Sequence, residues 1–115
     1  MLSIKQGEIW WANLPPPVGR RPILILTRSS ALTVLTNATV APLTRTIRSI
    51  PTEVALSPAD GVPTVCAVSL DNILTMPQAR LATRIASLSS ERMGEIFEAI
   101  RYEFAMPPAN EHAGG

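Results

Sequence analysis

Residues 8–88 carry a series of short apolar segments with only turn-length gaps between them, and the chain's single clear helical periodicity comes after all of them. No feature constrains the fold more. Adjacent parallel strands need crossover connections of about a dozen residues or more, usually helical, and this order leaves no room for them. The sequence therefore predicts a mainly β domain with a C-terminal helix (α+β): a small curled sheet or barrel with the helix packed on it.

Glu8–Leu14 (EIWWANL) has strand composition, and Pro15-Pro16-Pro17-Val18-Gly19 ends it, because proline cannot continue a hydrogen-bonded ladder. Pro22–Arg28 is apolar on both parities, as expected of a strand covered on both faces. Ala38–Leu43, Thr52–Leu56 and Thr64–Leu70 read as further strands, with Ser57–Gly61 as a turn. Ser29–Thr36 is ambiguous, with room for a turn of helix, and Leu81–Leu88 fits strand or helix. Asp71–Thr75 is assigned to neither. A helix is predicted over Ser90–Phe104, capped by Ser89 or Ser90, with Glu91 in its first turn and an apolar stripe of Met93, Ile96, Phe97, Ile100 and Phe104. That stripe is expected in core or dimer packing. Residues 1–106 are expected to form one domain, and 107–115 (PPANEHAGG) a disordered C-terminal tail.

Nothing in the sequence suggests export or a membrane. No apolar run approaches the roughly 20 residues of a membrane helix, and Gln6, Gly7 and Glu8 interrupt the region where a signal peptide needs its apolar stretch. The lone Cys66 has no internal disulfide partner, which fits a reducing compartment. A cytoplasmic location is expected.

The net charge of +1 conceals a segregated distribution. From Ile9 to Thr52 there is no acid, yet Arg20, Arg21, Arg28, Arg45 and Arg48 lie there, while Glu91, Glu95, Glu98 and Glu103 gather near the C-terminus. A polyanion-binding face and a solvated second face produce such a split. Arginine also offers forked hydrogen bonding to phosphate.

Several chemistries are excluded by residue type. The only histidine, His112, falls in the expected tail, so paired-histidine, Ser-His-Asp and Cys-His mechanisms lack their base. Cys66, flanked by Val65 and Ala67, reads as a buried structural thiol. Asp60 and Asp71 have no second ligand at metal-like spacing, and no glycine-rich phosphate loop occurs. What is left is arginine and hydroxyl chemistry. RNA can be cleaved by its own 2′-hydroxyl if a protein holds the geometry and stabilises the charge on phosphorus. Arg21, opening one strand, and Thr44, closing another, suit that role; by residue type alone the reading as an edge arginine and a capping threonine is the favoured one.

In order along the chain come Gly7-Glu8-Ile9-Trp10, Arg21-Pro22, Ala41-Pro42-Leu43-Thr44, Leu70-Asp71-Asn72-Ile73 with Thr75, Arg80-Leu81, and Ile85-Ala86-Ser87-Leu88-Ser89. This series, spanning residues 7–104, resembles the MazF/PemK toxins of type II toxin–antitoxin systems. The resemblance implies an SH3-like small barrel of the CcdB/MazF-like toxin fold and a homodimer. It also implies metal-independent, cofactor-free cleavage of single-stranded RNA at short sequences, leaving 2′,3′-cyclic phosphate and 5′-hydroxyl ends. A cognate antitoxin with an acidic C-terminal segment is the implied inhibitor, and operator DNA is reached only through the antitoxin complex. By position, Arg21 and Thr44 match the family's catalytic arginine and threonine. Asn72 falls where the family often has a base-contacting glutamine, and Glu8 matches a recurrent acid in a supporting role that orients the arginine or the strand. Arg20, Arg45 and Arg48 are candidate RNA contacts. Two departures stand out: the loop before Arg21-Pro22 is reduced to Pro15–Arg20, as in a short-loop branch, and Leu74 replaces an arginine found in many members. The competing readings are a CcdB-type gyrase poison acting through its C-terminal helix, and a non-catalytic SH3-like binding module.

Overall fold

The computed structural model describes residues 3–107, so most of the expected tail, including His112, lies outside the described residues. Seven strands, β1 (Glu8–Asn13), β2 (Arg20–Ile25), β3 (Asn37–Thr44), β4 (Glu53–Leu56), β5 (Cys66–Ser69), β6 (Leu74–Pro77) and β7 (Leu81–Ser87), form one antiparallel system in the order β4-β5-β3-β2-β1-β7, with β6 off this path and paired to β3. A one-turn helix α1 (Ser29–Leu32) follows β2, and α2 (Ser90–Glu103) closes the chain. The expected α+β architecture is present.

β3 organises the sheet. One of its edges pairs with β2 through Val40–Pro42; the other is shared, with β6 along Asn37–Val40 and β5 along Leu43–Thr44. Pro42 falls in the gap between those two ladders, where a residue lacking an N–H is tolerated. Switching partners along one strand is how a short sheet curls over its own core without long helical crossovers between the strands.

Side-chain parity sorts the core into two layers. Ile9, Leu24, Ala41 and Leu43 pack with Val54, Leu56, Val68 and, from α2, Ile96 and Ala99. Trp10, Ala12, Ile23, Ile25 and Val40 point the other way, against Leu32, Met76 and Leu81. Both parities of β2 are therefore buried, as its sequence predicts. Fully burying an aliphatic side chain stabilises the fold by roughly 1.5–3 kcal/mol, and Ile9, Ile23, Leu24, Ile25 and Ile96 are all wholly inaccessible.

The helix is capped as expected, the Ser89 hydroxyl accepting from the Arg92 amide at 3.1 Å. Within the single chain only part of its apolar stripe is buried. Ile96 and Ala99 are buried and Met93 and Ile100 half-buried, but Phe97 is 37% and Phe104 59% exposed. Phe97 lies about 100° around the helix from Ile96, and Phe104 is the residue just past the last turn.

One further segment differs from the sequence reading, and two others take a form that reading allowed. Leu74–Pro77 is a strand, not part of a connection: Leu74 and Met76 turn inward and the segment fills the free first half of the β3 edge. Leu81–Ser87 resolves as strand because it pairs with β1. Pro58–Asp60 winds into a 3-10 turn closed by Gly61 at φ +96°. No helix among the described residues is long and apolar enough to cross a membrane.

Candidate active site

The β2–β3 register runs Ile23↔Pro42, Leu24↔Ala41, Ile25↔Val40. Continued by two residues past the last paired position, the same register sets Arg21 opposite Thr44. Both then lie on one face, where opposed side chains are within reach of each other. The two strands are also joined directly there, Arg21 Nη2 donating to the Leu43 carbonyl at 3.3 Å. Only one of the guanidinium's five N–H groups is used in that bond. Thr44 Oγ1 accepts from the Thr46 amide at 3.1 Å, which turns the hydroxyl's own proton toward other acceptors.

Arg21 and Thr44 stand between two cavities and line both. One, of about 370 Å³, is bounded also by Trp11, Arg20, Arg45 and Thr64. The other, of about 500 Å³, is bounded by Thr46, Arg48, Ser69 and Asn72 on its polar side and by Leu14, Val18 and Leu74 on its apolar side. Leu74 thus supplies apolar wall at the second cavity.

The hairpin between β1 and β2 delivers the arginines. Asn13↔Arg20 and Ala12↔Arg21 are paired, and Gly19, at φ +68°, makes the turn into β2 in a conformation that favours glycine. Because Trp11 pairs with Pro22, Arg20 is its diagonal neighbour on the same face, and the Arg20 guanidinium sits 4.7 Å over the Trp11 ring. In the sequence Trp11 reads only as strand composition; adjacent tryptophans on opposite faces of one strand signal only that the two enter different surroundings.

The remaining candidates divide. Arg45 is exposed at the rim of the first cavity. Asn72 ends a 3-10 turn (Leu70–Asn72) and donates through Nδ2 to Ser69 Oγ at 2.8 Å, holding its amide at the second cavity. Arg48 reaches the same cavity, but its charge is already matched: Nε donates to Glu53 at 3.0 Å and Nη2 to Asp71 at 3.3 Å. Asp71 is consequently not the isolated acid its spacing suggested. The neighbouring Glu103 carboxyl, with help from Thr52 and Arg48, holds it below the ordinary value, and Glu103 is pushed up in turn.

Glu8 lines neither cavity. Its buried carboxylate accepts from the Lys5 amide at 2.8 Å and the Trp10 indole at 3.1 Å through Oε1, and from Arg84 at 3.0 Å through Oε2. Burial raises this carboxyl, yet the three donors together outweigh burial and hold it below its ordinary value. These contacts tie β1 to β7, and none of them reaches Arg21.

Cys66 also borders the first cavity, but burial, reinforced by the charge of Asp60, raises its thiol pKa, so the reactive thiolate is disfavoured. Asp60 is held low chiefly by Arg92, whose Nε donates to it at 2.9 Å, and by the Ser57 amide. The expected charge segregation is visible in space. Arg20, Arg21 and Arg45 surround the first cavity, while Glu53, Glu91, Glu95 and Glu98 line a separate groove beside α2.

Residues 5–104 match the family model described as a PemK-like, MazF-like toxin of type II toxin-antitoxin system. The chain is 40% identical over 96 residues to a probable endoribonuclease, MazF5, of Mycobacterium tuberculosis, covering 83% of this chain and 87% of that protein. Among solved structures it is similar to the Mycobacterium tuberculosis toxin MazF-mt6, with a TM-score of 0.81 and 37% identity, covering 88% of this chain and 99% of the other. A mycobacterial endoribonuclease in complex with its cognate antitoxin matches with a TM-score of 0.81 and 27% identity over 91% of this chain and 98% of the other.

Proposed function

The chain belongs to the PemK-like, MazF-like toxins of type II toxin–antitoxin systems, and on that premise we propose that it is an endoribonuclease cutting single-stranded RNA, restrained by a cognate antitoxin. The observation that carries this reading is the Arg21–Thr44 pair, opposed in register at the junction of two cavities with Arg20 and Arg45 beside it.

The RNA backbone runs from one cavity to the other, so that the scissile phosphate rests against Arg21 and Thr44. The 2′-oxygen attacks phosphorus, the bond from phosphorus to the 5′-oxygen breaks, and a 2′,3′-cyclic phosphate and a 5′-hydroxyl result. The 2′ proton leaves to solvent and the departing 5′-oxygen gains one, so the step balances. Arg21 acts by stabilising charge on the phosphorane and the leaving oxygen, with the Thr44 hydroxyl as a second donor. No step in this scheme calls for a metal. Asn72 reads a base in the second cavity, and Arg45 holds a flanking phosphate. An antitoxin with an acidic C-terminal segment is complementary to the same arginine-lined cavities, and the active species is a homodimer in the cytoplasm.

The test incubates the protein and Arg21→Ala with a long single-stranded RNA in EDTA and maps the ends. Wild-type cuts at a recurring short motif with cyclic-phosphate termini are expected, with cleavage lowered about 10²–10³-fold in the variant. Intact RNA from many sequences would refute the ribonuclease reading and turn attention to gyrase binding.

A further inference from the structure

We propose that Trp11 and Arg20 form a stacking wall for one unpaired nucleobase of the RNA, seated in the first cavity next to the scissile phosphate. The inference rests on the ribonuclease reading for its substrate, and on a separate set of contacts for its geometry.

The two tryptophans of the chain do different work. Trp10 is 5% exposed and bonded to Glu8 within the core. Trp11 is half-buried and turned to the opposite face, where Arg20 lies over its ring and both border the cavity shared with Arg21 and Thr44. The chain has two tryptophans, one tyrosine and two phenylalanines, and Trp11 alone among them lines either cavity beside that pair.

A single-stranded base offers two flat faces and stacks on aromatic rings or guanidinium planes. The Trp11–Arg20 wall presents both kinds of surface together. Val62, Pro63 and Ile85 supply apolar lining for a base, and Arg45 and Thr64 supply polar groups for its edge or its phosphate. The volume, about 370 Å³, falls in the range of small-ligand sites, roughly 300–1,000 Å³. The second cavity has no aromatic side chain; its walls are Leu14, Val18, Leu74 and polar groups. Stacking thus acts on one side of the cut only, and a nucleotide preference enforced by it falls at one flanking position.

The test uses an uncleavable 2′-O-methyl oligonucleotide and the intrinsic tryptophan emission. Stacking quenches Trp11, so the oligonucleotide is expected to quench the wild type and to have little effect on Trp11→Phe, whose remaining tryptophan is in the core. Trp11→Leu should weaken binding about 5- to 100-fold, the range for removing one base–aromatic stack. Trp11→Phe keeps a ring and most of the affinity, which separates stacking from a folding defect. Arg20→Ala should weaken binding and reduce the quench. With cleavable RNA, the Trp11→Leu loss should fall on KM rather than kcat, with relaxed preference at one nucleotide beside the cut. Removing the base at that position should cost the wild type as much as Trp11→Leu does, and cost Trp11→Leu nothing more. Wild-type affinity in Trp11→Leu with no quench, or a loss confined to kcat, overturns the wall. The two readings fail separately: cleavage without quenching defeats the stacking wall, whereas quenching without cleavage upholds the wall and defeats the ribonuclease.

Discussion

Glu8 offers a prediction in which the structure separates two contributions of one side chain. Oε1 serves two neutral donors, the Lys5 amide and the buried Trp10 indole, while Oε2 serves Arg84, whose side chain is 59% exposed. Glu8→Gln keeps an oxygen for the neutral donors and releases Arg84 to water. The loss is one charge-assisted bond discounted for solvent screening, about 1 kcal/mol. Glu8→Ala also strands the indole N–H in the core, at about 1–3 kcal/mol, and opens a void, for a total of about 3–4 kcal/mol. The assay is urea denaturation at pH 7, with all variants at one protein concentration so that any self-association weighs equally on each. The carboxyl is held below its ordinary value of 4.5, so its ionic contribution is present above that pH and disappears as pH falls through the lower folded value. The gap between wild type and Glu8→Gln should close on acidification, while the Glu8→Ala deficit persists. Equal losses for Gln and Ala would refute the reasoning, because the Arg84 ion pair would then account for the whole effect and the two neutral bonds for none of it. Folded Glu8→Gln that had lost RNA cleavage would return Glu8 to the active site.

Four other outcomes follow from local geometry. At Gly61 a Cβ would lie 2.9 Å from the Ala86 Cβ in a left-handed conformation, whereas at Gly19 (φ +68°) it would meet nothing within 4 Å; thermal melts should show Gly61→Ala losing about 1–3 kcal/mol and Gly19→Ala no more than about 1–2. Asp60→Asn should lose about 1 kcal/mol at neutral pH, measured by urea titration, because the Arg92 contact is partly solvated. Since Asp60 is held below its ordinary 3.8, that difference should vanish as the pH falls through its folded value. Ile96→Ala, which empties a wholly buried position, should cost about 2–5 kcal/mol by the same titration, and Phe97→Ala several-fold less. In RNA-binding titrations against salt, Arg45→Ala should flatten the logarithmic slope by about 0.7. Arg48→Ala should flatten it less, because Glu53 and Asp71 already balance that charge.

How much of this was legible depended on the range of the interaction involved. β1, β3, β4 and the capped helix were visible as local composition and periodicity, since each carries its own parity or stripe and its own stop signal. β6 was not, because Leu74–Pro77 is four residues long and is a strand only through the β3 edge that happens to be open beside it. β7 was ambiguous for the same reason until β1 paired with it. Arg21 and Thr44 were each nominated by residue type and family pattern, yet nothing local says that positions separated by a turn-helix connection share a face. That follows from the β2–β3 register alone. Arg48 shows the converse: a basic residue in an acid-free stretch was expected to be available to RNA, and two acids from later in the chain claim its charge.

By itself, then, the sequence determined the alternation of strand and turn, the antiparallel class, the helix and its cap, the lone buried thiol and the surplus of arginine in the first half. These depend on steric and hydrophobic preferences acting within a few residues. Only the tertiary structure decided which arginines face the cavities, which are neutralised, that Glu8 pairs with Arg84 across β1 and β7, and that Trp11 stands beside Arg21 and Thr44 while Trp10 is in the core. Each of those depends on groups brought together across the sheet, where register and burial set distance and charge compensation, and neither quantity exists until the strands have paired.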